Sequence, residues 1–458
     1  MTRSVLIIGG GPAGLTGGLR LSLRGFAVTL LEQGADLGGR LIRAGPASST
    51  GTPEPDVPLE AIPLALLGCH SATIALLRTL GTLRYAPFRR GPRVEFVRPG
   101  TRPVRLRRPW APAPLHAIVA LATFNGLLAR DRWQFLMLLE RAWEGESLPA
   151  DLELRTAEDW LAASGQSPMA RAQFWNPLTH FLLGEDLAVV SAGALIAALS
   201  RMFLSDRSAS RIALPEVAAR RLLIQPVEDQ LRRTGGTIRL GTAAAQFRFD
   251  QKQVSGVELK TGEVMTADWY IAALPPSALT PLLPERVLTH FSYFHQILKL
   301  AESPAVTVHL RFDPGSAGVS RTLRRRLFLL AARPFHWMVV RPGVEEKRQA
   351  LVSLVSTGRF DLLDLTDQAL QDCALAELTS LVPALTGVKV LGAEIVREPR
   401  AFLSIRPGTA ALRPLQQSPF PNLLLAGDWT DTGWPATLES AILSGDRCAD
   451  AIAAQSRS

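Results

Sequence analysis

The strongest constraint on this chain lies in its first forty residues. Val5-Leu6-Ile7-Ile8 runs into Gly9-Gly10-Gly11-Pro12-Ala13-Gly14, an apolar-periodic stretch follows, and Val28-Thr29-Leu30-Leu31 ends at Glu32. The pattern predicts a strand, a glycine turn, a helix and a second strand. A dinucleotide pyrophosphate needs backbone N–H groups at a helix N-terminus with no side chains in the way. Gly9 permits the tight turn, Gly11 lets the backbone approach the phosphates, and Gly14 lets the helix lie close on the strand, with Pro12 and Ala13 completing the binding turn. Glu32 is spaced to accept ribose hydroxyls, and an acid there argues against a 2′-phosphate.

Shortly after Glu32 comes Gly38-Gly39-Arg40. A glycine pair and an arginine following the ribose-binding acid resemble the flavin amine oxidase and phytoene desaturase superfamily, in which this segment runs along the FAD pyrophosphate and the flavin edge. The resemblance implies FAD rather than NAD.

A chain of 458 residues, 47% of them apolar, is too long for one small core and suits two domains. Its net charge of +9 comes from arginine, since lysine occupies only five positions. Nucleic acid is disfavoured as a partner, because the arginines of 102–108 and 324–326 sit beside leucine, tryptophan and phenylalanine without a nucleic-acid motif. Solvated faces and a lipid-headgroup patch both remain open. Cys69, Cys373 and Cys448 are widely spaced with no CxxC, which indicates buried thiols in a reducing compartment and no metal site. No charged n-region or cleavage site precedes the first strand, so a cytoplasmic location is expected. The apolar run from Ala117 to Ala129, interrupted by Asn125 and Gly126, is too short to span a bilayer. Peripheral contact with the inner face of the cell membrane stays open.

Residues 44–58, rich in Gly, Pro, Ser and Thr, read as a loop leaving the nucleotide domain. His70 opens a helix with Ile74, Leu77 and Leu80 at helical spacing, and reads either as a satisfied helix-start residue or as part of a substrate pocket. From Pro109 to Trp143 two helices are expected, split near Asp131. Their stripe of Trp133, Phe135, Leu136, Leu139 and Trp143 fits core packing or an interfacial helix with Arg130, Arg132 and Arg141 at headgroups. Residues 156–205 continue helical, and the substrate cavity is expected there. A helix from Val217 to Arg233, a strand from Gly235 to Ala244, a hairpin around Val254 to Val264 and the run from Trp269 follow. This order resembles the same superfamily, which implies that the backbone at Ala244 touches the adenine. Val306 to Phe312 alternates as a strand with Phe335 to Val340 as its expected neighbour; a helix at Leu370 to Leu381 and a strand at Val388 to Val396 complete the second excursion.

The last segment returns to the cofactor. Asn422 to Trp429 reads as a buried strand ending in Gly427-Asp428, and Pro435 to Ala441 opens a final helix. Gly427 allows close approach, Asp428 can hydrogen-bond the ribityl or phosphate end, and the helix N-terminus at Thr437 and Leu438 places positive partial charge near the flavin N1–C2=O edge.

The run from Ala426 to Thr437 (AGDWTDTGWPAT) resembles the squalene-associated FAD-dependent desaturases, the hydroxysqualene dehydroxylases. Leu66-Leu67-Gly68-Cys69-His70, the run from Ser303 to Phe312, His336-Trp337 and Ala401-Phe402 add to it. Where that family carries Asp-Asn-Gly-Gln-His near the flavin face, this chain reads Glu60-Ala61-Ile62-Pro63-Leu64. The resemblance implies removal of an allylic hydroxyl from a C30 polyprenyl alcohol, in association with other squalene-synthesis enzymes. Such chemistry needs an acid and an apolar tunnel. Asp431 is the candidate acid, with turn capping as its other reading, and His70, His336, Trp337 and Trp434 are candidate pocket walls. A carotenoid or phytoene-type desaturase and a non-catalytic FAD-bound subunit are the alternatives. The expected fold is α/β: a discontinuous Rossmann-like FAD-binding domain (1–60, 206–276 and 395–458) with an inserted α+β substrate domain (61–205 and 277–394), amine oxidase/phytoene desaturase-like.

Overall fold

A computed structural model describes residues 3–42, 60–88, 93–98, 101–107, 109–144, 151–250, 252–313, 326–344, 349–385 and 387–456. The loop expected at 44–58, together with Arg108, Arg324 and Arg325, lies outside the described residues. Five strands form a parallel sheet in the order Leu423–Leu425, Trp269–Ala272, Ser4–Ile8, Ala27–Leu31, Thr237–Arg239. Successive strand residues point to opposite faces. Val5 and Ile7 therefore pack with Leu15 and Leu19 of the first helix (Pro12–Ser22) and Ile442 and Ile452 of the last (Leu438–Gln455), while Leu6 and Ile8 join a core with Phe247 and Val257 of a three-stranded antiparallel sheet. Both faces are covered, as a parallel sheet requires.

The two outer helices approach closely because Gly17 and Gly445 bring no side chain to the crossing. A Cβ on Gly445 would lie 2.3 Å from the Ala13 carbonyl oxygen and 2.9 Å from the Gly17 nitrogen. That crossing sets the two helix N-termini side by side.

The second layer is a seven-stranded sheet in the order Val390–Leu403, Glu302–Phe312, Gln349–Thr357, Trp337–Val344, Arg326–Leu330, Arg93–Val97, Val104–Leu106. One face, with Val308, Leu310, Met338 and Val340, packs on Leu370, Ala374 and Leu378 of the helix Asp367–Leu381. The other face presents Trp337, Val339, Leu327 and Val355 to the helical block that contains Asn176–Leu183.

Three local expectations are corrected. Glu302–Phe312 pairs with Gln349–Thr357 and Val390–Leu403 rather than with the strand at 337, because Trp337–Val344 is taken up as the hairpin partner of Gln349–Thr357. The strand expected to end at Val396 runs on to Leu403, so the boundary drawn between 394 and 395 falls inside one continuous strand. The helix pair around 110–143 breaks between Ala122 and Ala129, at Asn125-Gly126, rather than at Asp131. Asp131 is in the first turn of the second helix, and its carboxylate accepts the Ser167 N–H (2.7 Å) and hydroxyl (2.9 Å). Among the described residues no helix is long and apolar enough to cross a membrane.

Glu60 ties the layers together from a fully buried position. Its carboxylate meets Arg341 Nη2 at 2.9 Å and accepts the N–H groups of Leu64 and Ala219, both at 3.0 Å, while its carbonyl faces His309 Nε2 at 2.9 Å. Removing one member of a buried pair strands the other charge, at a cost of about 3–5 kcal/mol. Glu60→Ala is expected to lose that much stability in denaturant titration of the holoprotein. The double variant Glu60→Leu/Arg341→Met should recover only part, because the Leu64 and Ala219 N–H groups stay unpaired.

Candidate functional site

A cavity of about 800 Å³ opens at the carboxyl ends of the parallel strands, where ligands bind in open α/β sheets. Gly9, Gly11, Pro12, Ala13, Glu32, Gly39, Arg40, His70, Ala244, Trp337, Gly427, Asp428, Thr437 and Leu438 all line it.

The glycines of the first turn have separate tasks. Gly9 has φ +111°, and a Cβ there would stand 2.3 Å from the Ala273 carbonyl oxygen; one on Gly14 would stand 2.1 Å from the Gly9 carbonyl oxygen. Gly14 thus lies under the turn rather than on the cavity wall. Gly11, by contrast, has nothing within 4 Å of where its Cβ would be, so any side chain there would fill the cradle. Gly11 caps the first helix and Thr437 the last, and neither end carries a side-chain cap. Free N–H groups and the positive ends of two helix dipoles therefore meet at one cavity, which suits an anionic, phosphate-bearing cofactor.

Glu32 accepts the N–H groups of Gly10 and Gly34, both at 2.8 Å. Each carboxylate oxygen keeps a further lone pair for a hydroxyl. Gly38 (φ +123°) is buried against Ile224 and Ile42 and donates its N–H to the Gly10 carbonyl at 2.9 Å, so it locks the segment rather than lining the cavity. Arg40 reaches across to Asp428 at 2.5 Å and to the Ala401 carbonyl at 3.2 Å.

Two residues that sequence reading left without a role hold this end in place. Arg413 is largely buried and donates to the carbonyls of Asp428 (2.9 Å), Thr430 (2.7 Å) and Trp434 (2.6 Å), which shapes the loop after Gly427. Burial lowers its pKa, opposed by Asp431, Asp428 and Glu153. Glu439, fully buried in the last helix, accepts the N–H groups of Ala72 (2.8 Å) and Thr73 (2.9 Å) and the Thr73 hydroxyl (2.6 Å). It caps the helix Ser71–Thr79, whose N-cap His70 supplies no side-chain bond. His70 is then free to face the cavity.

At the other end the walls are apolar: Ile62–Leu67, Phe181, Leu182, Leu183, Trp337 and Phe402. The departure segment thus contributes Ile62, Pro63 and Leu64 to the wall, while Glu60 is withdrawn into the layer junction. Gly184 (φ +72°) ends the helix Asn176–Leu183, and Phe402 occupies the space a Cβ there would need, 2.7 Å away. Residues 156–205 furnish one wall of the cavity, not the whole of it.

Three candidates fall away from the cavity surface. The Asp431 carboxylate accepts the Gly433 N–H at 2.9 Å, closing a turn. Trp434 packs edge-on against His70 (centroids 5.8 Å apart) and under the Arg201 guanidinium at 4.8 Å. His336 lies behind His180, the rings stacked at 3.5 Å, and it is His180 that lines the cavity. His180 Nδ1 meets the Thr357 hydroxyl at 2.8 Å and Nε2 faces Asp186 at 3.6 Å. The hydrogen bond from His180 is the main cause holding the Asp186 carboxyl well below its ordinary range. The thiols differ in burial: Cys448 is buried, Cys69 and Cys373 only partly so, and none forms a disulfide.

The sequence profile of flavin-containing amine oxidoreductases matches residues 12–453. The chain belongs to that family. FAD is the cofactor of this oxidoreductase, and the doubly uncapped cradle fits it. Among curated relatives, 15-cis-phytoene desaturase of Synechococcus elongatus is 26% identical over 371 residues, 78% of this chain and 77% of that protein. The Oncidium 15-cis-phytoene desaturase is 28% identical over 353 residues, 74% of this chain and 60% of that protein. The flavoenzyme therefore spans about three quarters of the bacterial relative and about three fifths of the plant one. In fold it is similar to an oxidoreductase from Methanosarcina mazei (TM-score 0.72, 15% identity, 98% of this chain and 100% of that one). It also matches cyclohexylamine oxidase from Brevibacterium oxydans (TM-score 0.69, 19% identity, 100% of both chains).

Gly11→Val is expected to yield folded protein lacking flavin absorbance. Glu32→Gln, which keeps the shape but not the charge, should weaken FAD binding about tenfold in fluorescence titration, the scale of one charge-assisted hydrogen bond. Burial pushes the His70 imidazole down to about 4, and neutral Nδ1 accepts the Leu67 N–H at 3.3 Å. The unfolded chain titrates near 6.5, so stability is full above that pH and is lost as pH falls toward 4. At pH 5 the loss from His70 amounts to about 2 kcal/mol, and His70→Gln should flatten the pH dependence of unfolding by that amount.

Proposed function

We propose that this flavoenzyme transfers hydride between FAD and an allylic carbon of a long isoprenoid hydrocarbon, with phytoene-type desaturation as the direction its relatives support. The observation that carries the substrate class is a second cavity of about 290 Å³ that shares Phe181 with the first. Its walls include Val94, Phe96, Leu121, Phe135, Phe174 and Leu327. The apolar end of the first cavity, bordered across Phe181 by a second chamber that is mainly apolar apart from Arg105, Arg107, His116, Ser210 and Arg211, suits a hydrocarbon chain much longer than a single ring or a short amine.

Bound FAD supplies the two-electron donor or acceptor. The chain's own residues position and dry the site: Phe402 closes over Gly184, and Phe181 meets Trp337 edge to face at 5.6 Å, which keeps water from an allylic centre. Desaturation asks for no acid at the substrate but releases a proton from the carbon next to the one that gives up hydride, and His180 or His70 on the cavity wall would take it.

A second reading, reductive dehydroxylation of hydroxysqualene, rests on the run from Ala426 to Thr437. Asp431 stands off the cavity lining with one oxygen capping a turn, and His180 and His70 are the histidines beside the apolar end. Association with squalene-forming enzymes belongs to this reading, as does a non-catalytic FAD-bound role.

The test is to incubate the holoprotein with phytoene and a quinone acceptor, and separately with hydroxysqualene after dithionite reduction. New conjugated absorbance with the quinone present, and phytoene-dependent flavin bleaching when the quinone is left out, are the expected results. Squalene formed from hydroxysqualene with flavin reoxidation would establish the second reading, and no change with either substrate would leave only a non-catalytic role.

A further inference from the structure

We infer that the surface formed by residues 102–133 is a docking face for an anionic lipid bilayer. Fifteen large apolar side chains are exposed among the described residues, and five of them fall within this one stretch: Trp110 (87% exposed), Leu115, Val119, Leu128 and Trp133 (63% exposed). Elsewhere no stretch as long as that from Trp110 to Trp133 holds more than two of them, which is ordinary for a protein surface. The helix Leu115–Ala122 turns Leu115 and Val119 outward, four residues apart on one stripe, while His116, Ala117, Ala120 and Leu121 of the same helix line the second cavity. The following helix, Ala129–Glu144, presents Trp133 one turn in, and Arg132 Nη1 ties the two helices by donating to the Ala122 carbonyl at 2.6 Å.

Charge selects the occupant. Residues 101–133 hold six arginines and a single acid, Asp131, which is buried and engaged with Ser167. Arg102, Arg105, Arg107 and Arg130 are exposed, Arg105 and Arg107 also border the second cavity, and the Arg207 guanidinium lies over the Trp110 ring at 5.7 Å. Exposed tryptophans beside cations and leucines suit the headgroup boundary, where an amphipathic ring is half wet and half dry. A second copy of the chain would set this cationic surface against itself. The bilayer thus lies next to the apolar chamber, and a hydrocarbon could pass between them without crossing water. The docking face itself stands whatever the substrate proves to be.

The test is co-sedimentation of the holoprotein with phosphatidylcholine vesicles, with and without one quarter phosphatidylglycerol. Binding to the anionic vesicles that weakens with salt is expected. It should fall about tenfold in Trp110→Ser/Trp133→Ser and stay unchanged in Leu298→Ser/Leu415→Ser, with flavin content reporting that each variant folds. Equal binding by both double variants, or no binding at low salt, overturns the proposal. So does a concentration-dependent dimer in light scattering that the tryptophan substitutions abolish, which would give the face to a second copy.

Discussion

The close crossing of the first and last helices is the constraint on which the site depends. Each helix end offers only partial charge and a few N–H groups, and the effect fades within a turn. Two ends act on one ligand only if both reach it, and the Gly17–Gly445 contact, one to two turns inside the helices, holds both N-termini on one cavity. Glu439, in the first turn of the last helix, carries the same positioning outward by capping Ser71–Thr79 and so fixing His70. A cofactor cradle, a helix and a cavity-wall histidine thus depend on one pair of glycines 428 residues apart.

The nucleotide half was legible because its determinants are local. Gly9, Gly11, Gly14 and Glu32 occupy one strand-turn-helix-strand unit, and each acts through backbone geometry that spacing alone specifies. Gly427-Asp428 was legible for the same reason. The substrate half was not, since its walls come from sheet faces whose register depends on distant pairing. His336 and Trp337 could not both face the cavity, because adjacent residues at a strand start point to opposite sides; the structure gives Trp337 the wall and sets His336 behind it. Asp431 precedes Thr-Gly, the composition of an Asx turn, and the local signal proved the better guide. His180 stands three residues before Leu183-Gly184, and no periodicity separates a cavity-facing histidine on an apolar helix from a buried one.

Buried polar groups mark where the layers are joined. Glu60, Arg341 and His309 come from a loop and two strands of the large sheet, and together they reach the Ala219 N–H on the nucleotide side. An apolar seam could slide, whereas a charge pair with three further hydrogen bonds fixes one relative placement of the sheets. That fixed placement keeps Ile62–Leu67, which follow Glu60 directly, against the cavity. The segment from Glu60 to Leu64 therefore gives the wall the apolar side chains of Ile62, Pro63 and Leu64 while Glu60 forms a structural tie behind it.

The likeness to amine oxidases in fold and to carotenoid desaturases in sequence follows from the same division. Binding FAD asks mostly for backbone: glycines, two helix ends and a carboxylate, and a fold is shared at 15% and 19% identity. Choosing a substrate asks for side chains on the far wall, and these are free to change without disturbing the cradle. Here the far wall is mainly apolar in both of the chambers that Phe181 borders, and the outer chamber is roofed by a helix whose opposite face also exposes Leu115 and Val119. A soluble amine needs neither the second chamber nor the greasy roof. The hydrocarbon proposed as substrate, reaching the protein from a membrane, would use both, and it is that pairing of an inner chamber with an outer apolar face, rather than the cofactor site, that supports the proposal.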